Sequence, residues 1–281
     1  MELAARIERV EADLIRKASE AARRRRPESP GFTIEMAGAV ASFAERGSPF
    51  NKIAGLGFGE FPRAGVSDEV ELAFAAHASP IQVELANLAD PATGVLLTES
   101  GYRLVGFENV LGLAIDDNLE RVRTPGIEVR LSGEDEFGAW VDVVSEGFAH
   151  PDEEGVPSHE SFSRAVIENA ERDFATAGVV RYAAVCDGVV AGGASFRIAE
   201  GVAQLAGAAT LPAYRRRGIQ SALLSARLAD AASAGCDIAV VTTQPGSKSQ
   251  QNVQRRGFDL LYTRAVLVKA PGALRTATHT S

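Results

Sequence analysis

Apolar residues near the start of the chain recur at steps of three and four: Leu3, Ile7, Val10, Leu14 and Ala18. That spacing predicts a helix over 2–26 with one buried stripe. The run RRRRPESPG ends it, because cations suit the negative end of a helix dipole and Pro27 cannot continue the backbone ladder. From 32 to 61 the pattern shortens into strands and helices punctuated by glycine. Gly55, Gly57 and Gly59 lack the GxGxxG spacing and the long strand before it, so they read as a turn or bulge. SDEVELAFAAHA follows as a helix with Ser67 as its N-cap, then PIQVELA as a strand. Residues 94–100 read as helical, and GYRLVGFENVLGLAI as one or two strands around Gly106.

The segment DDNLERVRTPG, 116–126, breaks the apolar pattern with charge, Pro125 and Gly126, and a second cycle begins after it. Its order is strand IEVRL, helix EDEFGAWVDVVSEGF with Ser132 as a cap, a polar loop AHPDEEGVPSHES, and a helix through about 177. Strands VRYAAVCDG and VVAGGASFRIA follow, joined at Asp187-Gly188, a favourable hairpin turn. A strand GVAQLAGAATL, a helix QSALLSARLADAASAG, a strand DIAVVTTQ, a helical turn SKSQQNVQRRG and a strand FDLLYTRAVLVK complete it. The first half is a looser version of this cycle and closes on GYRLVGF much as the second closes on GFDLLYT. The pattern predicts an α/β protein with mixed sheets and two related folds in tandem, over 1–126 and 127–281.

Length and composition agree with that division. A chain of 281 residues that is 46% hydrophobic is comfortable as two cored domains. A formal net charge of −8 argues against a dedicated nucleic-acid binder. Cys186 and Cys236 are the only cysteines and lack CxxC spacing, so they read as two incidental thiols in a reducing compartment. The charged N-terminus has no apolar core of a signal peptide, and no run is long and apolar enough to span a membrane. The expectation is a soluble cytoplasmic protein. The 4 histidines show no paired ligand spacing for a metal, and no GxSxG elbow is present.

Within this acidic chain, LPAYRRRGIQSALLSARL places three arginines where a turn tightens into a helix. A nucleic-acid patch, a solvated helix start and a phosphate cradle are the competing readings. The cradle has a physical basis. Pro212 ends the strand, Gly218 lets backbone and ligand approach closely, and the first helical turn presents N–H groups at the positive end of the helix dipole. Arg215, Arg216 and Arg217 add positive charge beside it.

With RRRGIQ preceded by ATLPAY and followed by QRRGF, residues 127–269 resemble the GNAT superfamily of acetyl-CoA-dependent N-acetyltransferases. The resemblance implies a GNAT fold for the second half. The first is then a degenerate copy that has no such loop and closes off or supports the site. It also implies acetyl-CoA as cosubstrate, and the isolated His150 and His159 suggest no metal site beside it. Ala209, Thr210 and Leu211 at the strand end, Arg215, Arg216, Arg217, Gly218, Ile219, Gln220 and Ser221 in the loop and helix start, and Asn252 would contact it. Two positions depart from the family pattern: Gln220 stands where the loop ends in a small residue, and Val253 where a tyrosine often protonates the leaving thiolate. Tyr214 and Tyr262 are stand-ins only if the fold brings them near. The implied reaction is direct transfer of an acetyl group to a small-molecule or peptide amine. In the acceptor loop Glu153, Glu154 and His159 are candidate bases, and with Asp152 they would favour a cationic amine. The rival reading is an acyl-CoA-binding sensor on the same fold that has lost turnover.

Overall fold

A computed structural model describes residues 1–271 apart from 29–30, 37, 60–65, 117–118, 120, 152–154 and 157–158. The opening stripe is the buried face of α1, Glu2–Arg25, where Ile7, Val10, Leu14, Ile15 and Ala18 are inside. Three strands follow: β1 (Phe32–Met36), β2 (Ala39–Phe43) and β3 (Lys52–Leu56). No helix occurs among the described residues of 32–61, a correction to the mixed reading. The apolar runs there are only five residues long, and the connections between the strands contain Gly38 and Gly47. Then come α2 (Asp68–Ala76), capped by Ser67 as its sequence predicts, β4 (Ile81–Ala86), and α3 (Pro91–Glu99). The α3 helix starts three residues earlier than its apolar pattern does, because Asp90 caps it and Pro91 occupies the first turn. GYRLVGFENVLGLAI forms one long strand, β5 (Arg103–Ala114).

The second cycle has the predicted order: β6 (Ile127–Leu131), α4 (Phe137–Ala149), α5 (Arg164–Thr176), β7 (Val180–Cys186), β8 (Val189–Ala199), β9 (Val202–Thr210), α6 (Ile219–Ser233), β10 (Ile238–Thr243), α7 (Lys248–Gln254) and β11 (Asp259–Lys269). Ser132 does not cap α4. A 3₁₀ turn over Glu134–Glu136 intervenes, and Ser132 donates its backbone N–H to the Arg181 carbonyl at 2.8 Å. Asp187 and Gly188 both take positive φ, 53° and 76°, in the hairpin between β7 and β8.

The chain divides into two compact units, 1–107 with 264–281, and 108–263, so the division falls inside β5 and inside β11. In the first unit β1, β2 and β3 pair antiparallel, β3 and β4 pair parallel across α2, and β4 pairs antiparallel with residues 264–269 of β11. The second unit repeats the scheme: β7, β8 and β9 antiparallel, β9 and β10 parallel across α6, and β10 antiparallel with residues 109–114 of β5. It also carries β6 on the edge beside β7. Each half thus contributes its last strand to the other half's parallel pair. The segment 116–126, read from sequence as the join, follows β5 and leads into β6 within the second unit.

Alternate residues of β7 lie in different clusters. Tyr182 and Ala184 pack with Ile219, Leu223 and Leu224 of α6, whereas Ala183 packs with Trp140 and Val144 of α4 and Ile167 of α5. The period-two rule therefore places α6 on one face of this sheet and α4 and α5 on the other. The Trp140 indole donates to the Tyr182 carbonyl at 2.9 Å, which fixes α4 on its face. Among the described residues no helix is long and apolar enough to cross a membrane.

Candidate functional site

The site is built around the last residues of β9 and the first turn of α6. After Thr210 the chain leaves the strand, and Leu211 donates its N–H to the Ala191 carbonyl at 2.9 Å. A 3₁₀ turn over Pro212–Tyr214 leads into Arg215–Gly218. Gly218 is the N-cap of α6, at φ 91°, and no side chain caps the helix. The helices α2, α3, α5 and α7 each have a serine or aspartate oxygen accepting from their first turn. At α6 the N–H groups of Ile219, Gln220 and Ser221 have no capping side chain, the arrangement that receives an anion. A Cβ at Gly218 would stand 3.3 Å from Thr124 Cγ2, and the left-handed backbone there strains any residue with a side chain. Arg216 also takes a positive φ, 62°, a strained conformation for a residue with a side chain.

The arginine triplet separates into three roles. Arg215 Nη2 donates to the Gly147 carbonyl at 3.5 Å and to the His150 carbonyl, so it ties the loop to the end of α4. Arg217 pairs with Asp187 at 2.8 Å and lies 5.4 Å from the Tyr214 ring centre. Arg216 is exposed and its guanidinium is engaged by none of the described residues. Gln220 Nε2 donates to Thr210 Oγ1 at 3.0 Å, bridging strand end and helix start where the resemblance expects a small residue. Ala209 is buried against α4: a Cβ at Gly147 would meet its Cβ at 2.7 Å. Ile219 is core.

The QRRGF segment is brought to the same place. Arg256 Nη2 donates to the Ser221 carbonyl at 3.5 Å. Asn252 is half-buried and accepts from Arg255 at 3.4 Å. Val253 is buried with Phe258 in the α6 core, so the tyrosine position of the family is occupied by an apolar core residue. Tyr214 lies in the turn beneath Arg217, and Tyr262 is buried on β11. Glu153, Glu154 and Asp152 lie outside the described residues, and His159 is exposed. In the same polar loop Val156 donates its N–H to the Pro245 carbonyl at 3.1 Å. The described residues contain no cluster of His, Cys, Asp and Glu able to hold a metal ion.

One turn before the strand end, β9 carries a bulge. Ser195 pairs with Ala206 and Gly193 with Ala209, so Gly207 and Ala208 oppose Ala194 alone. Gly207 adopts φ 56°. On the α5 face of this bulge, Glu171 Oε1 lies 3.6 Å and Ser195 Oγ 3.5 Å from where a Gly207 Cβ would be. Ser195 Oγ donates to Glu171 Oε2 at 3.4 Å. Burial pushes the Glu171 carboxyl up to about 7, opposed by Arg181 and by the Ser195 hydrogen bond.

From α6, the buried Arg227 donates to the Ser195 carbonyl at 3.0 Å, the Ala206 carbonyl at 3.3 Å and the Leu223 carbonyl at 3.2 Å. Burial lowers its pKa to about 10, which leaves it a cation at neutral pH. Sequence reasoning passed over both residues, although each carries a signal. Glu171 sits on the stripe Ile167, Ala170, Phe174, and Arg227 on the stripe Leu223, Leu224, Leu228, Ala231, positions where helical spacing calls for apolar side chains.

Residues 145–258 match the model of the acetyltransferase (GNAT) family, so the second half of the chain carries a GNAT acetyltransferase domain. No curated protein matches the sequence. Among solved structures, a GCN5-related N-acetyltransferase from Kribbella flavida shares the fold with a TM-score of 0.64 at 21% identity, covering 92% of this chain and 96% of that one. A conserved protein of unknown function from Staphylococcus epidermidis gives 0.61 at 12% identity, over 86% of this chain and 95% of that one. A protein described as a tandem GNAT protein from the clavulanic acid biosynthesis pathway gives 0.55 at 12% identity, over 73% and 68%. At these identities the likeness is one of fold, and it extends over both halves of the chain. The chain thus has the GNAT fold, and residues 145–258 match the GNAT acetyltransferase family.

Proposed function

We propose that this protein is an acetyl-CoA-dependent N-acetyltransferase that moves the acetyl group directly to an amine of a small molecule or peptide. The observation that carries this reading is the pairing, on one strand, of the β9 bulge with the uncapped start of α6 just beyond it. The residues fit the cosubstrate. The N–H groups of Ile219, Gln220 and Ser221 receive the diphosphate, Arg216 adds its charge, and Ala209, Thr210 and Leu211 run alongside the pantetheine arm, with Asn252 on the α7 side. Backbone N–H groups of the bulge polarise the thioester carbonyl as an oxyanion hole does. A neutral amine attacks, its proton is taken by a base, and CoA leaves as a good thiolate leaving group. The loop carrying Glu153, Glu154 and His159 lines the acceptor side, where its acidic residues favour a cationic amine. The half over 1–126, without such a loop, supports the site and binds no CoA. Two free buried cysteines suit a reducing cytoplasm.

The test is calorimetric titration with acetyl-CoA, CoA and ADP. Micromolar binding of acetyl-CoA, with ADP retaining part of it, is the expected result; no binding at millimolar ligand would refute the reading. The buried Val253 favours a second reading, an acyl-CoA sensor without turnover, because it removes the hydroxyl from the family's usual acid position. Release of free thiol when acetyl-CoA meets a panel of amines decides between them.

A further inference from the structure

We propose that Glu171 is the proton acceptor of the transfer reaction, held at the β9 bulge by Ser195 and meeting the incoming amine across Gly207. This rests on the transferase reading above. It assigns the base to a buried residue of α5 rather than to the acceptor loop.

Three observations carry it. First, Glu171 is buried on α5 beside Ile167, Ala170 and Phe174, where a carboxyl group opposes folding, and its Oε1 lies 3.6 Å from where a Gly207 Cβ would be. Second, a structural acid at such a place would be fixed by an ion pair, and Glu171 makes none with the described residues. The cation that acts on it, Arg181 of β7, pairs instead with Glu134 at 3.2 Å and stacks on Phe137 at 4.4 Å. Ser195 of β8 is the hydrogen-bond partner of Glu171 among the described residues, through Oε2, which leaves Oε1 on the Gly207 side. Third, the bulge is charged from both faces. Arg227 of α6 holds the Ser195 and Ala206 carbonyls, and Ser195 also donates to Glu171, so one residue links the buried cation to the buried acid. The groups facing Glu171 from its neighbours are therefore Ser195 and Arg181, with Arg227 acting through the strand.

The amine nitrogen gives its lone pair to the thioester carbonyl carbon, forming the C–N bond. The C–S bond breaks and its electron pair leaves on the CoA sulfur. The proton lost by nitrogen goes to Glu171 Oε1, directly or through one water, and the protonated carboxyl returns it to the thiolate. The products are the amide and free thiol, and no oxidant or reductant enters.

The experiment compares wild type, E171Q and E171D. Calorimetry with acetyl-CoA comes first: absence of binding to wild type refutes the transferase reading itself. Equal affinity of wild type and E171Q shows that the variant folds and loads. Free-thiol release with the amines that wild type turns over is then followed across pH. For wild type, kcat should rise with a midpoint near the carboxyl's value of about 7. E171Q should lose roughly 100-fold in kcat at unchanged acetyl-CoA affinity and lose that midpoint, with E171D restoring part of the rate. A kcat for E171Q within about threefold of wild type, or an unaltered pH midpoint, overturns the proposal. An infrared carboxyl band assigned by its absence in E171Q gives a readout without any acceptor. The band should titrate with a midpoint near pH 7, and a carboxyl that does not titrate there overturns the proposal as well.

Discussion

The chain makes the same crossover twice, β3–α2–β4 in the first unit and β9–α6–β10 in the second, and the two differ where chemistry would occur. Both strands that enter the crossover are irregular next to a glycine of positive φ, Gly55 at 82° and Gly207 at 56°. At Gly55 the helix α1 is pressed on the strand: a Cβ there would meet Ala12 Cβ at 2.9 Å and the Glu8 carbonyl at 3.3 Å. At Gly207 the same space faces Ser195 and Glu171. The crossover helices differ in the same sense. Ser67 accepts from the Val70 N–H and closes the start of α2, whereas α6 starts at Gly218 with no side-chain cap. One crossover satisfies its own backbone and fills its bulge with alanine. The other leaves donors free and surrounds its bulge with ionisable groups. A fold repeated for packing alone has no reason to leave its second copy less satisfied than its first.

The largest effect expected from breaking this contrast is at Gly218. Gly218→Val puts a β-branched side chain on the left-handed position that starts α6, distorting the N–H groups behind it, and should weaken acetyl-CoA binding by roughly 100-fold in calorimetry. Loss of the contrast would appear as unchanged affinity.

Next comes the buried acid. Its folded pKa of about 7 lies above the value of 4.5 for a free carboxyl, so the native state holds a proton that the unfolded chain releases. Stability from this group is present at low pH and is lost as pH rises from the unfolded value through about 7. E171Q, which cannot ionise, should therefore be more stable than wild type at pH 8 by about 3 kcal/mol, the shift of about 2.5 units converted at 1.36 kcal/mol each. The gain should disappear in melts below the free carboxyl's pKa.

Ser67→Ala removes the cap of the first crossover helix and should cost about 1 kcal/mol in denaturant unfolding while leaving acetyl-CoA affinity unchanged. Arg216→Ala should weaken acetyl-CoA by only about threefold, and less at high salt, because the backbone donors do the binding and an exposed charge is screened.

The first unit holds a second contrast, between an ionic cluster that is internally compensated and the isolated charges at the β9 bulge. Arg264 of β11 reaches Glu8 at 2.8 Å and Glu84 at 3.4 Å, and Lys52 meets Glu84 at 2.5 Å. Burial opposes the charge on Glu84, but Lys52 and Arg264 hold it below the usual carboxylate range. Two acids and two bases close on one another there, which is how a buried network persists without a ligand. Glu171 and Arg227 have no such closure.

Most elements were legible in the sequence. The α1 stripe, the Ser67 cap, the Asp187-Gly188 hairpin and the strand–loop–helix around RRRGIQ follow from spacing and local chemistry, which depend on residues within a few positions of each other. The arginine triplet was legible as a feature but not in its division of labour. Arg215 finds its partners on α4 and Arg217 on the β7–β8 turn, both distant in sequence.

The sequence by itself determined where the chain is helical or extended, which faces are apolar, and that a glycine-led helix start lies beyond a strand. Tertiary structure alone decided which last strand completes which parallel pair. Alternation states that a strand is to be buried and cannot name its neighbour, so β5 going to β10 and β11 to β4 is invisible before the strands are paired. It also decided that Glu171 and Arg227, each an anomaly on its own apolar stripe, approach one bulge from opposite sides. The physical reason is that periodicity encodes burial, whereas chemistry at a site depends on distances between residues that the chain brings together only when the sheet forms.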